Sequence, residues 1–312
     1  MMRSLWTAAS GMTSQQTAVD VIANNLANVN TTGYKTQSAQ FKTLLYQTSQ
    51  SVTTSANGDT KPVGAQVGLG VRNSAISTIF TQGNITSTEL DTDFAIDGKG
   101  FFQLEDENGD ILYTRNGSFT WSPMNDGTMM LCSSEGYGVL DTTGLPITLD
   151  DTYNMSKVTI DKDGNICYPG DNGQAEKIGI QIGLAQFSNP GGLEKGSEST
   201  YLATDASGEP ILEADSTDIK KSALRQGYLE AANVNVADEM VNLIVAQRAY
   251  EMNSKAIKAG QTPKAVMSAM ESNCSPKLLC VCVKRATRPS IPSKSMERKM
   301  VAAAMPNFPA IA

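Results

Sequence analysis

Two stretches of this 312-residue chain, 4–29 and 233–257, carry apolar residues at a seven-residue spacing, and the text between them consists of short apolar runs cut by turn dipeptides. In the first stretch Leu5, Met12, Val19 and Leu26 fall seven apart, with Ala8, Ala9, Ile22 and Val29 at the intervening positions and Gln15 as a polar break. That spacing predicts a helix over 1–30 with a coiled-coil stripe. Thr31-Thr32-Gly33 ends it, the glycine supplying the backbone freedom of a helix stop. In the second stretch Val236, Leu243, Tyr250 and Ile257 repeat the period, with Met240 between them and Gln247 and Ser254 at the remaining seam positions. Asn235 is the expected N-cap, and Asp238 and Glu239 in the first turn favour the helix dipole.

Residues 31–70 are rich in Thr, Ser, Gln and Gly and read as an extended connector. From 71 to 220 the pattern changes. Asp97-Gly98, Asn108-Gly109, Asn116-Gly117, Asp126-Gly127, Asp163-Gly164 and Asn172-Gly173 punctuate short apolar runs at 94–96, 101–104, 157–160 and 178–187. Such dipeptides favour the positive φ of tight hairpins, so this part is expected to be an antiparallel β domain. The fold class that follows is α+β: N- and C-terminal helices pairing into a coiled-coil-like domain, with a central antiparallel β domain between them. Residues 221–257 form the return segment and the second helix. A two-helix pairing buries little surface by itself, so partner chains are expected to complete it.

The polar face of the first helix carries almost no charge. Between Ser4 and Tyr34 the one ionisable acid or base of the Asp, Glu, Lys and Arg type is Asp20, while Asn24, Asn25, Asn28 and Asn30 crowd its end. A buried charge costs several kcal/mol unless paired, roughly, whereas an amide is satisfied by hydrogen bonds. This face is therefore expected to press against protein, and an isolated terminal peptide to be largely without helix.

Composition narrows the functions. The chain contains no His, which removes Ser-His-Asp and Cys-His catalysis and the commonest metal ligand. The formal net charge of −7 argues against a nucleic-acid surface. The first residues lack the continuous apolar run of a cleavable signal, and no run of about 18 apolar residues is present to span a membrane. Asp161-Lys162-Asp163-Gly164-Asn165 resembles the start of a calcium loop but has no downstream Glu at the required place, and is read as a turn. Gly68-Leu69-Gly70 and Gly98-Lys99-Gly100 lack the third glycine of a dinucleotide site. Cys280-Val281-Cys282 is too tightly spaced for a zinc pair. No catalytic residue, cofactor or metal is expected.

The charge is unevenly spread. Residues 258–312 hold nine Lys or Arg against two acids, together with three of the five Cys and six of the 12 Pro, and leave 16 basic against 30 acidic residues in the rest. Gly260 and Pro263 are expected to interrupt the second helix. The abruptness of the change points to out-of-frame translation from about residue 258, with a lineage-specific extension as the alternative, and no structure is assigned to this tail.

The segments 4–35 (SLWTAASGMTSQQTAVDVIANNLANVNTTGYK) and 224–257 (LRQGYLEAANVNVADEMVNLIVAQRAYEMNSKAI) resemble the two terminal signatures of the bacterial flagellar rod and hook family, and 94–104, 113–131 and 158–166 resemble motifs of its β domain. The likeness covers 2–257. The opening residues, 44–48 and the run from Gln226 are most similar to distal-rod members. The resemblance implies a structural subunit stacked helically into a hollow drive shaft, exported by the flagellar type III apparatus and located in the basal body. Its expected partners are further copies of itself, other rod and hook proteins and the export apparatus, with no nucleic acid and no small-molecule substrate. It implies an assembly interface on Leu5, Met12, Val19, Ile22, Asn24, Asn25, Leu26, Asn28, Val29, Val236, Met240, Leu243, Gln247, Tyr250 and Ile257, and a segment at about 47–66 in which rod and hook members differ. A proximal rod or hook subunit is the near alternative. A secreted adhesin or glycan-binding β protein is the alternative of another class.

Overall fold

The computed structural model of the chain describes residues 2–50, 65–124, 126–150, 153–170, 175–197, 199–214, 216 and 219–273. It is α+β: helix α1 at Met2–Ala27, helix α2 at Val236–Asn273, and antiparallel strands between them. After Ala27 the chain tightens through three-residue closures, Val29 N–H to Leu26 and Thr31 N–H to Asn28, before Gly33 turns it at φ 68°. A Cβ at Gly33 would meet Asn116 N at 2.6 Å, so this turn needs glycine for its backbone angle and for the close approach of the β domain. The start of α2 is as expected. Asn235 Oδ1 accepts the Ala237 N–H at 3.2 Å, and Asp238 and Glu239 occupy the first turn.

The end of α2 differs from the sequence expectation. The helix runs through Gly260 and Pro263 to Asn273. A proline inside a helix costs about 3 kcal/mol, but the residues after it, Lys264 to Glu271, include Lys, Ala, Met and Glu, which are strong helix formers. The tail thus begins as helix, and 274–312 lie outside the described residues.

The two helices pack antiparallel. Asn25 Nδ2 donates to Glu239 Oε1 at 3.4 Å, a Cβ on Gly11 would meet the Asn253 amide nitrogen at 2.8 Å, and one on Gly260 would meet Leu5 at 3.1 Å. The residue numbers of these pairs sum to 264 or 265, which is the signature of a single antiparallel register. Small residues permit the approach.

A two-stranded arm lies against α1. Gln37–Thr43 pairs with Val71–Thr78, with a bulge at Gln40/Phe41, and Tyr46–Gln50 pairs with Ala65–Gly68 beyond it. The boundary expected at residue 70 therefore falls between partners of one ladder, because strand pairing is non-local and the pattern of 71–78 does not name its partner. The centre of the 47–66 segment, 51–64, lies outside the described residues.

The β domain is a sheet in the order Thr148–Asp150, Thr128–Ser133, Gly138–Val139, Phe101–Glu105, Ile111–Thr114, Thr200–Leu202, Glu194–Lys195, with Leu184–Gln186 and Phe119–Pro123 pairing onto it. The Phe101–Glu105 strand alternates its side chains between two clusters. Phe102 and Leu104 enter the larger, with Phe119, Leu131, Ile147 and Ile166, while Phe101 joins Tyr113, Phe187 and Tyr201. Asn108-Gly109, Asp126-Gly127 and Asp163-Gly164 make the hairpin turns, each glycine at φ between 76° and 84°. The calcium-like segment is the last of these, closed by Asp161 N–H to Asn165 at 3.0 Å. Asn116-Gly117 is not a hairpin tip; there the Phe94 carbonyl presses on Gly117 and the Gly117 carbonyl accepts the Phe94 N–H at 2.9 Å. Asn172-Gly173 lies outside the described residues.

Candidate functional site

The seam residues expected from the heptads divide by burial. On α1, Leu5, Met12, Val19, Ile22 and Leu26, with Val29 just beyond, are half-buried, and the buried line runs instead through Ala8, Ser14, Val21 and Asn25. Ser14 and Val21 lie two residues beyond Met12 and Val19, roughly 160° round the helix, Asn25 lies one before Leu26, and Ala8 is among the expected intervening positions. On α2 Leu243 and Ile257 are half-buried on the side that carries Glu239, Ala246, Asn253 and Gly260. Val236, Met240, Gln247 and Tyr250 are exposed, and Gln247 and Tyr250 line a groove with Gln16 and Val19 of α1. Val241, Ile244, Val245 and Met252 lie on the other side of the helix and with Met240 present an outward apolar surface whose members are 50 to 64% exposed. Trp6 on α1 is 73% exposed. The heptad reading missed Val241, Ile244, Val245, Met252 and Trp6, because it follows one seam and leaves the flanks unread.

The asparagines have an intrachain use. Asn25 is buried, its Oδ1 accepting the Gln37 N–H at 2.9 Å and its Nδ2 donating to the Gln37 carbonyl at 2.8 Å, so a side-chain amide replaces a strand partner for the arm. Asn24 is exposed and donates to the Tyr34 hydroxyl and to Gln37 Oε1, both at 3.3 Å; Asn28 folds back on the Asn24 carbonyl at 2.9 Å. A charged side chain could not serve as both donor and acceptor here. Asn233, on the return segment, does the same for Thr36, accepting its N–H at 2.7 Å and donating to Ile79 and Thr81 carbonyls at 2.9 and 3.1 Å.

Where the helices meet the β domain, ionised groups are buried. Lys35, Arg115 and Glu230 are at most 3% exposed. Lys35 Nζ lies 2.6 Å from Glu230 Oε1, and Arg115 Nη1 lies 3.2 Å from Oε2. Burial pushes both cations below their ordinary pKa ranges, and the Glu230 carboxylate opposes the shift in each. A second carboxylate, Glu213, is held by Ser222 N–H at 2.7 Å, Ser222 Oγ at 2.8 Å and Gln186 Nε2 at 2.8 Å, and its field also favours the charged Arg115. Two acids thus offset two bases. Burial also raises Tyr201 and Tyr34 above the usual phenol range. At the helix contact burial raises Glu239, and the Asn25 amide pulls it back. No sequence signal marked Lys35, Arg115 and Glu230, which lie up to 195 residues apart.

Apart from Arg115 Nε, which is buried without a hydrogen-bond partner among the described residues, these groups are paired with one another, an arrangement that holds segments together. The described residues combine apolar groups outward on α2, amides sealing α1 to the arm, and a charge cluster at the joint.

Known sequences agree with that character. The chain matches the family described as flagella basal body rod protein over residues 5–35, the flagellar hook protein FlgE/F/G D1 domain over 95–168, and the flagellar basal body rod FlgEFG protein C-terminal over 225–262. The last match carries the likeness past residue 257 and through Gly260. Among relatives, the flagellar basal-body rod protein FlgG of Borreliella burgdorferi is 45% identical over 260 residues, 83% of this chain and 94% of its own. FlgG of Agrobacterium fabrum is 40% identical over 270 residues, 86% of this chain and 98% of its own. The flagellar hook-basal body complex protein FlhP of Bacillus subtilis is 31% identical over 266 residues, 83% and 96% respectively. A solved hook protein, FlgE2 of Helicobacter pylori, is similar at 18% identity over 54% of this chain and 47% of its own, with a TM-score of 0.21, and carries no weight. The adhesin reading and the proximal-rod and hook readings are not favoured by these relatives.

Proposed function

From the premise that the chain belongs to the flagellar basal-body rod family that includes FlgG, we propose that it is a structural subunit of the distal rod, not an enzyme, polymerising helically into the hollow shaft that carries motor torque to the hook. The observation that carries the polymerisation step is the outward apolar surface of α2. Met240, Val241, Ile244, Val245 and Met252 are exposed while the opposite side of the helix faces α1. Exposed apolar surface of this kind marks a protein contact. Half-buried Leu5, Met12, Val19, Ile22 and Leu26 extend it on α1, and a coiled-coil-like bundle with neighbouring subunits would cover both. Asn24 and Asn28 add uncharged polar contacts at the same end. The partners on this reading are further copies of the chain and adjoining rod and hook proteins, with delivery by the flagellar export apparatus to the basal body.

The test is peptide mapping by mass spectrometry of hook and basal-body complexes from cells whose sole copy of the gene encodes this chain. Peptides from 3–257 are expected in the complexes. Met240→Asp with Ile244→Asp should abolish incorporation and swimming while the soluble chain keeps its β-domain fold by near-UV circular dichroism. Absence of the wild-type peptides from well-covered complexes would sink the assignment, and normal incorporation of the double variant would remove α2 from the interface.

A further inference from the structure

The segments that carry α1, the arm and α2 to the β domain converge on one carboxylate. Glu230 is 1% exposed, and its two oxygens face different parts of the molecule. Oε1 accepts Lys35 Nζ at 2.6 Å and the Gly83 N–H at 2.8 Å, both on segments leading to the helices and the arm. Lys35 is itself tied to the Thr81 carbonyl at 2.9 Å. Oε2 accepts Arg115 Nη1 at 3.2 Å, and Arg115 is rooted in the β domain through the Gly98 carbonyl at 2.8 Å and the Phe101 ring 5.1 Å away. The main-chain carbonyl of Glu230 accepts the Gly33 N–H at 2.8 Å, which closes the same joint a second time.

We propose that Glu230 is the latch of this joint: a positioning residue that binds the segments around Lys35 and Gly83 to Arg115 of the β domain, so that the joint opens and closes as a unit distinct from the β core. Two physical points carry it. Apolar side chains of equal volume are often as stable as a buried ion cluster, so charge here is better explained by direction than by stability: hydrogen bonds to two oxygens fix an angle, which apolar contact does not. Further, the large β core is built from Phe102, Leu104, Phe119, Leu131, Ile147 and Ile166 and includes none of the latch residues. Regions with separate sets of contacts open separately.

The experiment is hydrogen exchange with mass spectrometry on the full-length chain, its Glu230→Gln variant and its Lys35→Met variant. A glutamine offers one acceptor oxygen and so cannot serve both cations. In Glu230→Gln, peptides over 29–40, 78–86 and 227–235 should exchange about 100-fold faster or more, while those over 100–105 and 128–133 stay within about threefold of wild type. Lys35→Met should fall between, since Glu230 keeps Arg115 and Gly83. Equal loss of protection in joint and core would make Glu230 a general stability determinant and overturn the latch. So would unchanged joint peptides, or joint peptides already unprotected in the wild type. A part for the latch in torque transfer rests on the rod reading, whereas this experiment reads the isolated chain, so the two can fail separately.

Discussion

Replacing Asn25 by Ala tests whether the uncharged end of α1 is built for the chain's own arm. The amide makes three hydrogen bonds of 2.8–3.0 Å: the Gln37 N–H and the Tyr34 hydroxyl donate to Oδ1, and Nδ2 donates to the Gln37 carbonyl. At about 1 kcal/mol net each, plus the cost of leaving the half-buried Gln37 amide without a partner, the local loss is about 2–4 kcal/mol. A convenient reporter adjoins it. Lys35 is fully buried, so trypsin can cut before Thr36 only when this segment opens. At low protease the cleavage rate follows the open population, and each 1.36 kcal/mol is tenfold, so the cut at Lys35 should quicken by about 30- to 900-fold. The assay is the time course of the fragment beginning at Thr36, read by mass. Asn25→Asp is the control of equal shape: it can still accept from Gln37 and Tyr34 but cannot donate, and it sets a second carboxylate beside Glu239, so at neutral pH it should be about as damaging. An increase below threefold for the Ala variant would refute the claim that this amide holds the arm.

Leu131→Ala, at a fully buried site directly opposite Trp121 on the neighbouring strand, should cost about 2–5 kcal/mol and lower the urea midpoint of the tryptophan fluorescence transition by about 1–2 M. Gly33→Ala should destabilise by about 3 kcal/mol or more, since a Cβ meets Asn116 at 2.6 Å and the φ is 68°, whereas Gly109→Ala, at φ 82° in open space, should cost about 1 kcal/mol, both read by thermal unfolding. Glu239 has a folded pKa raised by burial, so the native state holds its proton more tightly than the unfolded chain does. Its contribution is present below the ordinary carboxylate range and is lost as pH rises through the raised value. In a comparison by helical circular dichroism in urea, Glu239→Gln should lack that decline between acid and neutral pH, and parallel profiles would show that the carboxylate is solvated.

The elements of the fold were legible where a local rule acts. Asn235 capped α2 as its residue type required, and Asn108-Gly109, Asp126-Gly127 and Asp163-Gly164 made the hairpins that their backbone preferences favour. What escaped is non-local. The pairing of Gln37–Thr43 with Val71–Thr78 crosses 51–64, and nothing in either strand names the other. Lys35, Arg115 and Glu230 read singly as ordinary surface charges, and only the fold brings them within 3.2 Å. The end of α2 was misjudged for the opposite reason: Gly260 and Pro263 are strong local signals that the surrounding helix overrides.

The heptads are the instructive case, because their period was legible and their direction was not. A helix built to stabilise its own monomer turns its bulkiest apolar side chains inward. On α2 the inward side holds Glu239, Leu243, Ala246, Tyr250, Asn253, Ile257 and Gly260, while Met240, Val241, Ile244, Val245 and Met252 face out. Burying one such side chain is worth about 1.5–3 kcal/mol, so the outward set carries more hydrophobic free energy than the set that contacts α1. On the assembly reading this inversion has a physical cause. The intrachain contact needs only enough small residues, Gly11 against Asn253 and Gly260 against Leu5, to let the helices lie together in register. The larger apolar groups are then left for neighbouring subunits, where a stripe repeated in every copy supplies the same contact along the whole shaft.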